Sequence, residues 1–400
     1  MRVYSCSLNL KEIFHYIWQV TLRELLRIVS RPLYLTASVG AFLFSLFFFM
    51  TLMKAGAAEE MPVALVDLDQ SSISRRLAHE MQATPSVDIQ LITNNYAEAR
   101  GAMQQGKIYG ILVIPQGFYS NLASLKRPRV DFYVTNSYTV GGNTAYKQML
   151  TIVNLISGAF QREVLRKKGM TDDVIMNRIQ PVSIDAHMVA NPWGNYTIYL
   201  VSTVLPGILG VIALMLTVFA VGFELKSKTS REWLRTAGGN YTIAMIGKLL
   251  PFTVIYLSLG VVCYAVMFSM FGFPVLGSHW RLLFGLLLFI MAMEVMGIVL
   301  IGLLPTLRDA ISVGALYSML GFSLSGFTYP VMGMLPPVQA LSWLEPLRHY
   351  YVIYVNEALM GAPAINSTPA ALMLVAFIVP ALCVAPRLHR ALIYQNYPLQ

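Results

Sequence analysis

Apolar residues in this chain fall into long unbroken runs rather than the short periodic patches of a soluble domain. The first run, Leu33–Leu52, contains AFLFSLFFFM and meets no charge until Lys54. Nothing comparable follows until about Asn195. Five runs then come in close succession: Tyr196–Phe223, Ile243–Phe271, Leu282–Leu304, Ala310–Tyr329 and Ala370–Ala385. A helix needs about 20 mostly apolar residues to cross ~30 Å of hydrocarbon. The pattern therefore predicts an α-helical polytopic membrane protein with six spans, one and then five.

Composition supports the pattern. Of 400 residues, 56% are hydrophobic and 12% charged, half the charge of a soluble domain at about 25%. That excludes a soluble globular chain, a disordered one and a coiled coil.

Ahead of the first span, residues 11–29 alternate with helical period. Phe14, Ile17, Trp18, Leu22, Leu25, Leu26 and Val29 fall on one stripe, with Lys11, His15, Gln19, Arg23 and Arg27 elsewhere, and Pro32 ends the pattern. Residues 1–32 thus read as an amphipathic helix along the cytoplasmic membrane surface, either a simple anchor or a contact for a partner. They do not read as a secretory signal, because the apolar run starts late and no small-residue cleavage site follows it.

Between the first span (33–54) and the five-span core (193–400), residues 55–192 have a soluble composition. PVALVD (62–67), VDIQLI (87–92), IYGILVI (108–114) and VDFYVT (130–135) read as strands. SSISRRLAHEMQ (71–82, capped by Ser71 or Ser72), AEARGAMQQ (97–105) and residues 143–168, ending at Gly169, read as helices. Strands alternating with helices predict a compact α/β domain inserted between the first and second spans.

Net charge is +9, and its placement sets the orientation. Thirteen Lys and Arg flank the spans on the side of the two termini: in residues 1–32, loop 224–248, the turn at Arg308 and the tail with Arg387 and Arg390. Five acids accompany them, so +8 of the +9 lies there. The opposite loops 272–280 and 330–366 hold only Arg348. By the bias of basic residues toward the cytoplasm, both termini are cytoplasmic and the inserted domain is external, periplasmic in a two-membrane bacterium. The localisation expected is a bacterial cell inner membrane. The basic balance is topological and leaves no nucleic-acid footprint. Cys6, Cys263 and Cys383 all lie outside the insert, so no disulfide framework is expected there.

Enzyme chemistry is sparse. Gly101 to Lys107 fits the first seven positions of a phosphate-binding P-loop, but Ile108 stands where a hydroxyl must reach the metal, and the segment closes a helix instead of opening one. No other stretch approaches that motif, so any ATP hydrolysis must come from another chain. This chain is expected to need no cofactor of its own and to have no ATPase site. Six scattered His residues (His15, His79, His187, His279, His349, His389) show no ligand spacing and predict no metal. Asp67 and Asp69 beside Ser71 and Ser72 could do acid–base work, but a capped strand-to-helix turn explains them more simply. Glu294 stands mid-span, where a carboxylate is costly, and should face protein or a water-filled cavity.

Two segments remain. Loop 223–248 clusters Glu224, Lys228, Arg231, Glu232 and Arg235 around Trp233 before Gly238-Gly239. It predicts a short charged helix below the membrane with an exposed Trp, suited to dock in a groove of a soluble partner. Residues 326–363 mix breakers (Pro330, Gly333, Pro336, Pro337, Pro346) with aromatic residues, which predicts short re-entrant helices buried against the outer end of the bundle.

These segments resemble the ABC-2 type exporters, the permease class that works with separate ATP-binding-cassette subunits. SGFTYPVMGMLPPVQALSWLEPLRHY (325–350) is similar to that family's S-G-F-x-x-P motif and later P-L-x-x-Y, here through Ser325, Gly326, Phe327, Pro330, Pro336 and Pro346. Residues 223–251 resemble its E-R-E-x-G-T-L-E coupling segment and the following G-K (Gly247, Lys248). VALVDLDQSSISRRLAHEM with GKIYGILVIPQGF resembles the external domain of the drug-exporter-like branch. The chain departs from the family where Lys226, Lys228 and Ser230 replace later coupling residues, and where Asn356-Glu357 precede Gly361.

The resemblance implies a homo- or heterodimer of permeases above two ATPases, exporting an amphiphilic or hydrophobic molecule by alternating access. It implies a pathway between the second and fifth spans, where Tyr196, Tyr199, Thr203, Tyr317, Phe322 and Phe327 are candidates beside Glu294. It also allows a periplasmic adaptor. A non-transporting scaffold or receptor is the alternative class. An intramembrane enzyme ranks last, because Glu294 is the only acid well inside a span.

Overall fold

The computed structural model describes residues 9–395 apart from 55, 57–59, 86, 125, 127, 136–138, 180–189, 192, 193 and 305. Cys6 and His187 lie outside the described residues. Two compact units result: Met1–Lys54 together with Met188–Gln400, and Ala55–His187.

The first unit opens with α1 (Leu10–Ser30), which starts at Asn9 through a capping box with Glu12. Pro32 breaks it, and α2 (Pro32–Leu35), a π-helical turn (Thr36–Gly40) and α3 (Ala41–Leu52) continue as one apolar rod. The stripe expected on α1 is split in the structure. Phe14, Trp18, Leu22, Leu25, Leu26 and Val29 are exposed, but Ile17 turns with Ile13 and Val20 to a second, packed face that also holds Thr21, Glu24 and Ile28. α1 is therefore clamped to protein on one side and left apolar on another.

The polar unit follows as β1 (Met61–Asp67), α4 (Ser72–Gln82), β2 (Val87–Thr93), α5 (Tyr96–Gln104), β3 (Gly110–Ile114), α6 (Phe118–Ala123), β4 (Asp131–Val134), α7 (Thr139–Lys167) and α8 (Asp172–Ile179). The sheet order is β2-β1-β3-β4. β1 is parallel to both neighbours, and β4 is antiparallel to β3. Central β1 buries both faces, as its unbroken Val63-Ala64-Leu65-Val66 run requires. Val63 and Leu65 pack with Leu77, Met81 and Met149 of α4 and α7, whereas Ala64 and Val66 pack with Ala99 of α5. Strands β3 and β4 are shorter than the expected 108–114 and 130–135, and α6 and α8 were not signalled.

The turn after β1 is structural. Asp67 Oδ1 accepts the N–H groups of Asp69 and Gln70 at 3.0 and 2.8 Å, and its other oxygen accepts the Ser74 hydroxyl at 2.7 Å. Asp69 accepts the Tyr119 N–H at 3.1 Å, and Ser71 caps α4. Burial alone would raise the Asp69 carboxyl's pKa, but hydrogen bonds from Ser71 and the 117–119 backbone outweigh it and hold the group below its usual range. Gly101 lies inside α5, and Gly106 (φ +72°) precedes β3, a helix-to-strand order with no phosphate cradle.

The remaining helices complete the first unit: α9 (Tyr196–Lys226), α10 (Ser230–Thr236), α11 (Tyr241–Ala265, prolonged by a π turn to Met270), α12 (His279–Leu303), α13 (Leu307–Leu324), α14 (Pro336–Ser342), α15 (Pro346–Tyr354, with a π turn Val355–Leu359), α16 (Ala364–Ala376) and α17 (Ile378–Tyr394). Helices α9 and α12 form the buried centre. Small residues let them approach: a Cβ on Gly297 would stand 2.9 Å from the Leu214 carbonyl, and one on Gly210 would stand 2.4 Å from Phe289.

Among the described residues, five helices are long and apolar enough to cross a membrane: Pro32–Leu52, Tyr196–Lys226, Tyr241–Met270, His279–Leu303 and Ala364–Tyr394. The expected sixth, Ala310–Tyr329, is not among them. Its helix α13 stops at Leu324, begins with Arg308 and Asp309, and spends Ser312, Gly314, Ser318 and Gly321 on packing faces and polar positions. The stretch expected to be re-entrant is unevenly buried. α15 is buried through Leu347, Tyr350, Ile353 and Tyr354, but the 3-10 turn Val331–Gly333 and α14 are mostly exposed, Met332 at 96%.

Candidate coupling and translocation sites

The densest polar constellation lies where α1, α9, α10 and α11 meet. α9 carries Glu224 two residues before its end, and α11 brings in Lys248 at the start of its third turn after the Asn240 cap. Lys248 Nζ lies 2.8 Å from Glu24 Oε2 and 3.1 Å from Glu224 Oε1, and all three side chains are fully buried. Arg23 donates to both oxygens of Glu224 at 2.8 and 3.4 Å. Arg27 and the Thr229 hydroxyl also donate to Glu224. Charged groups out of water are tolerated only when paired in this way.

The neighbouring glycine explains the Gly247-Lys248 pair. A Cβ on Gly247 would stand 2.7 Å from Val20 Cβ and 2.9 Å from the Ile17 carbonyl, so only glycine lets α1 lie on α11 at this level. The Thr21 hydroxyl donates to the Gly247 carbonyl at 3.1 Å across the same contact.

Helix α10 hangs from this junction. The expected exposed Trp233 is fully buried, with the Lys248 ammonium 4.7 Å from its ring centroid. On a seven-residue helix the apolar pair Trp233-Leu234 turns inward, because packing under α11 removes more apolar area from water than a solvent position would. Arg231, Glu232 and Arg235 occupy the opposite, exposed side, and Lys228 is exposed in the turn just before the helix. Ser230 Oγ and Arg231 Nε donate to the carbonyls of Leu392 and Ile393 on α17, each at 2.7 Å. Gly238 (φ +65°) and Gly239 (φ +80°) end the helix in a backbone region open to glycine. α10 is thus tied to α9, α11, α17 and α1 at once.

The sequence signalled Glu224 and Trp233 but not their partners Glu24, Arg23 and Arg27. One signal for Glu24 was present: an acid in the middle of an apolar, basic helix.

The pathway candidates separate into groups. Tyr196, Tyr199 and Phe327 come together with Tyr351, at ring-centroid distances of 5.7 Å (196–199), 6.1 Å (199–327) and 6.4 Å (327–351). The Tyr199 hydroxyl donates to the Phe327 carbonyl, joining α9 to the turn after α13. Gly326 (φ +94°) makes that turn, and the Ser325 hydroxyl donates to the Phe322 carbonyl at 2.8 Å. Pro330 precedes the 3-10 turn, and Pro336 and Pro346 occupy first helical positions of α14 and α15, where no N–H is needed.

Phe322 instead fills the space over Gly207. Tyr317 donates to the Leu344 carbonyl at 2.7 Å. Thr203 is fully buried with its hydroxyl unpartnered. Glu294 is buried on α12 and accepts from the Thr253 hydroxyl of α11 at 2.7 Å, with its second oxygen unpartnered. Elsewhere, buried Glu357 accepts from Arg281 at 2.8 Å and from the Ser367 hydroxyl at 3.0 Å, while its carbonyl accepts the Gly277 N–H at 2.8 Å. That lock joins α12, the end of α15 and α16, where the chain departs from the family pattern. Among the described residues no His, Cys, Asp and Glu cluster could hold a metal ion.

A buried junction carrying a short surface helix, within a bundle of long apolar helices, matches a known class over most of the chain. The family model described as ABC-2 family transporter protein covers residues 33–385. The chain belongs to the ABC-2 transporter family. No curated protein matches it significantly. As an ABC-2 permease it is a multi-pass membrane subunit of an ABC transporter, a class that partners an ATP-binding subunit.

Proposed function

We propose that this permease exports an amphiphilic or hydrophobic small molecule, drug-like or lipid-like, and that a separate subunit hydrolysing ATP with Mg drives it by docking on the exposed side of α10. The observation carrying the reading is the junction. Lys228, Arg231, Glu232 and Arg235 offer a charged docking face, while Trp233, Glu224 and Lys248 tie the same helix to α9, α11 and α1. A push on α10 is delivered directly to the buried centre of the bundle. The Tyr196–Tyr199–Phe327–Tyr351 cluster would line or close the pathway at the opposite end of α9, in a dimer of permeases with alternating access.

The reading places residues 1–32 on the cytoplasmic face of an inner membrane, with the exposed stripe of α1 in the lipid interface. It places the α/β unit outside, open to an adaptor. Charge reversal at Lys228→Glu and Arg235→Glu tests it. The variant permease should purify folded but lose the ATP-binding subunit and its substrate-stimulated hydrolysis. Normal stimulated hydrolysis in that variant would refute the docking assignment.

A further inference from the structure

A cavity of about 590 Å³ opens where α17 passes α12, lined by Gly302, Cys383, Pro386, Arg387, Arg390 and Tyr394. Gly302 permits the approach: a Cβ there would stand 2.1 Å from Val384 Cγ1. Arg387 and Arg390, one turn apart, are exposed and make no ion pair or hydrogen bond among the described residues. In the first turns of α17, Ile378, Val379 and Leu382 are also exposed. In a helix of this apolarity such side chains face hydrocarbon. The cavity therefore has an apolar strip leading into it, a small-residue floor, and two unpartnered guanidiniums where the helix leaves the apolar layer.

We propose that this cavity is a binding site for the phosphate headgroup of an anionic phospholipid, with its acyl chains lying along α17. Arginine's planar fork pairs bidentately with phosphate, and basic pockets between helices at a membrane surface suit such headgroups. A protein partner would have to reach the arginines beside lipid-facing Leu382, whereas a lipid already meets both surfaces. The bound headgroup braces the turn whose Leu392 and Ile393 carbonyls hold α10. The inference goes beyond the proposed export role and does not depend on it, since binding is read on the permease alone.

Native mass spectrometry of the full chain, exchanged into equimolar phosphatidylglycerol and phosphatidylcholine, tests it. The wild-type chain should retain phosphatidylglycerol preferentially. Arg387→Gln/Arg390→Gln should lower that preference roughly 30-fold, the factor equal to ~2 kcal/mol for two arginines at ~1 kcal/mol each. Arg308→Gln should leave it unchanged. Equal retention by wild type and double variant, or an equal loss in Arg308→Gln, overturns the site.

Cys383 supplies a second readout that leaves both arginines in place. In a Cys6→Ser background, with Cys263 buried, maleimide should label Cys383 several-fold more slowly in phosphatidylglycerol nanodiscs than in phosphatidylcholine nanodiscs. Millimolar inorganic phosphate should have no effect. Equal rates in the two lipids, or protection by inorganic phosphate alone, contradict a lipid site.

Discussion

Lys248→Met removes the cation at the centre of the α1–α9–α10–α11 junction while nearly preserving its volume. The two carboxylates do not suffer equally. Glu224 keeps Arg23 at 2.8 Å and its contact with Arg27, whereas Glu24 is left only with Arg27 and Arg23 at 3.8 and 4.0 Å. Glu24 is fully buried, and its other oxygen has no partner. Breaking one side of a buried ion pair typically costs about 3–5 kcal/mol, and loss of the cation–π contact with Trp233 adds up to about 2 kcal/mol.

Glu24→Gln should therefore rescue Lys248→Met, because it removes the uncompensated charge. Glu224→Gln should not, because it also strips two arginines of their acceptor. The assay is a double-mutant cycle on detergent-solubilised protein, read as reversible unfolding in mixed micelles. The coupling energy between Glu24 and Lys248 should fall in the upper part of the ~0.5–3 kcal/mol range for contacting residues. Additive losses within about 0.5 kcal/mol, or equal rescue by Glu224→Gln, would refute the argument.

Gly247→Ala should loosen α1 from α11 at a cost of about 1–3 kcal/mol of overpacking, and Val20→Ala in the same chain should recover part of it; both are read from thermal unfolding. Gly326→Ala forces a side chain into a φ of +94°, a penalty of about 1–2 kcal/mol, visible as a lower melting temperature. Tyr199→Phe should cost about 0.5–1.5 kcal/mol by orphaning the Phe327 carbonyl. Tyr196→Phe, which removes a hydroxyl with no hydrogen bond among the described residues, should cost almost nothing, so equal melting of the two would discard the α9–turn link.

The long apolar runs were legible because spanning demands uninterrupted length, and three of the last five were readable to within about three residues, whereas the final helix, Ala364–Tyr394, extends well beyond the expected Ala370–Ala385 at both ends. α13 falls short of the other five in length and apolarity because Gly314, Ser318 and Gly321 are spent on a buried packing face, a use that apolarity over a window cannot register. The α/β unit was readable because β1 is an unbroken apolar strand and Asp67 and Ser71 are strong local turn and cap signals. α6 and α8 are short and stabilised by packing, so they left little pattern.

The junction was half legible. Glu224 and Trp233 stand out beside the coupling segment, and Lys248 follows a glycine. Their partners Arg23, Glu24 and Arg27 lie about 200 residues earlier, on a helix whose apolar stripe suggested a membrane anchor or a contact for a separate partner. Long-range pairing leaves no mark in local periodicity, and for the same reason Trp233 read as exposed when its neighbours were charged. The contact of Tyr199 with Phe327 likewise depends on tertiary approach. Its glycine turn was visible, but the hydroxyl's acceptor was not.

The most direct test of the account is a photo-reactive amino acid placed at Glu232, on the exposed side of α10, and activated in intact cells. Mass spectrometry of the adduct should identify an ATP-binding-cassette subunit carrying its own P-loop, and the same probe at Leu335, in the exposed segment before α14, should not capture it. Failure at Glu232, with capture of that subunit only from another position, would contradict the claim that α10 is the helix on which ATP hydrolysis acts.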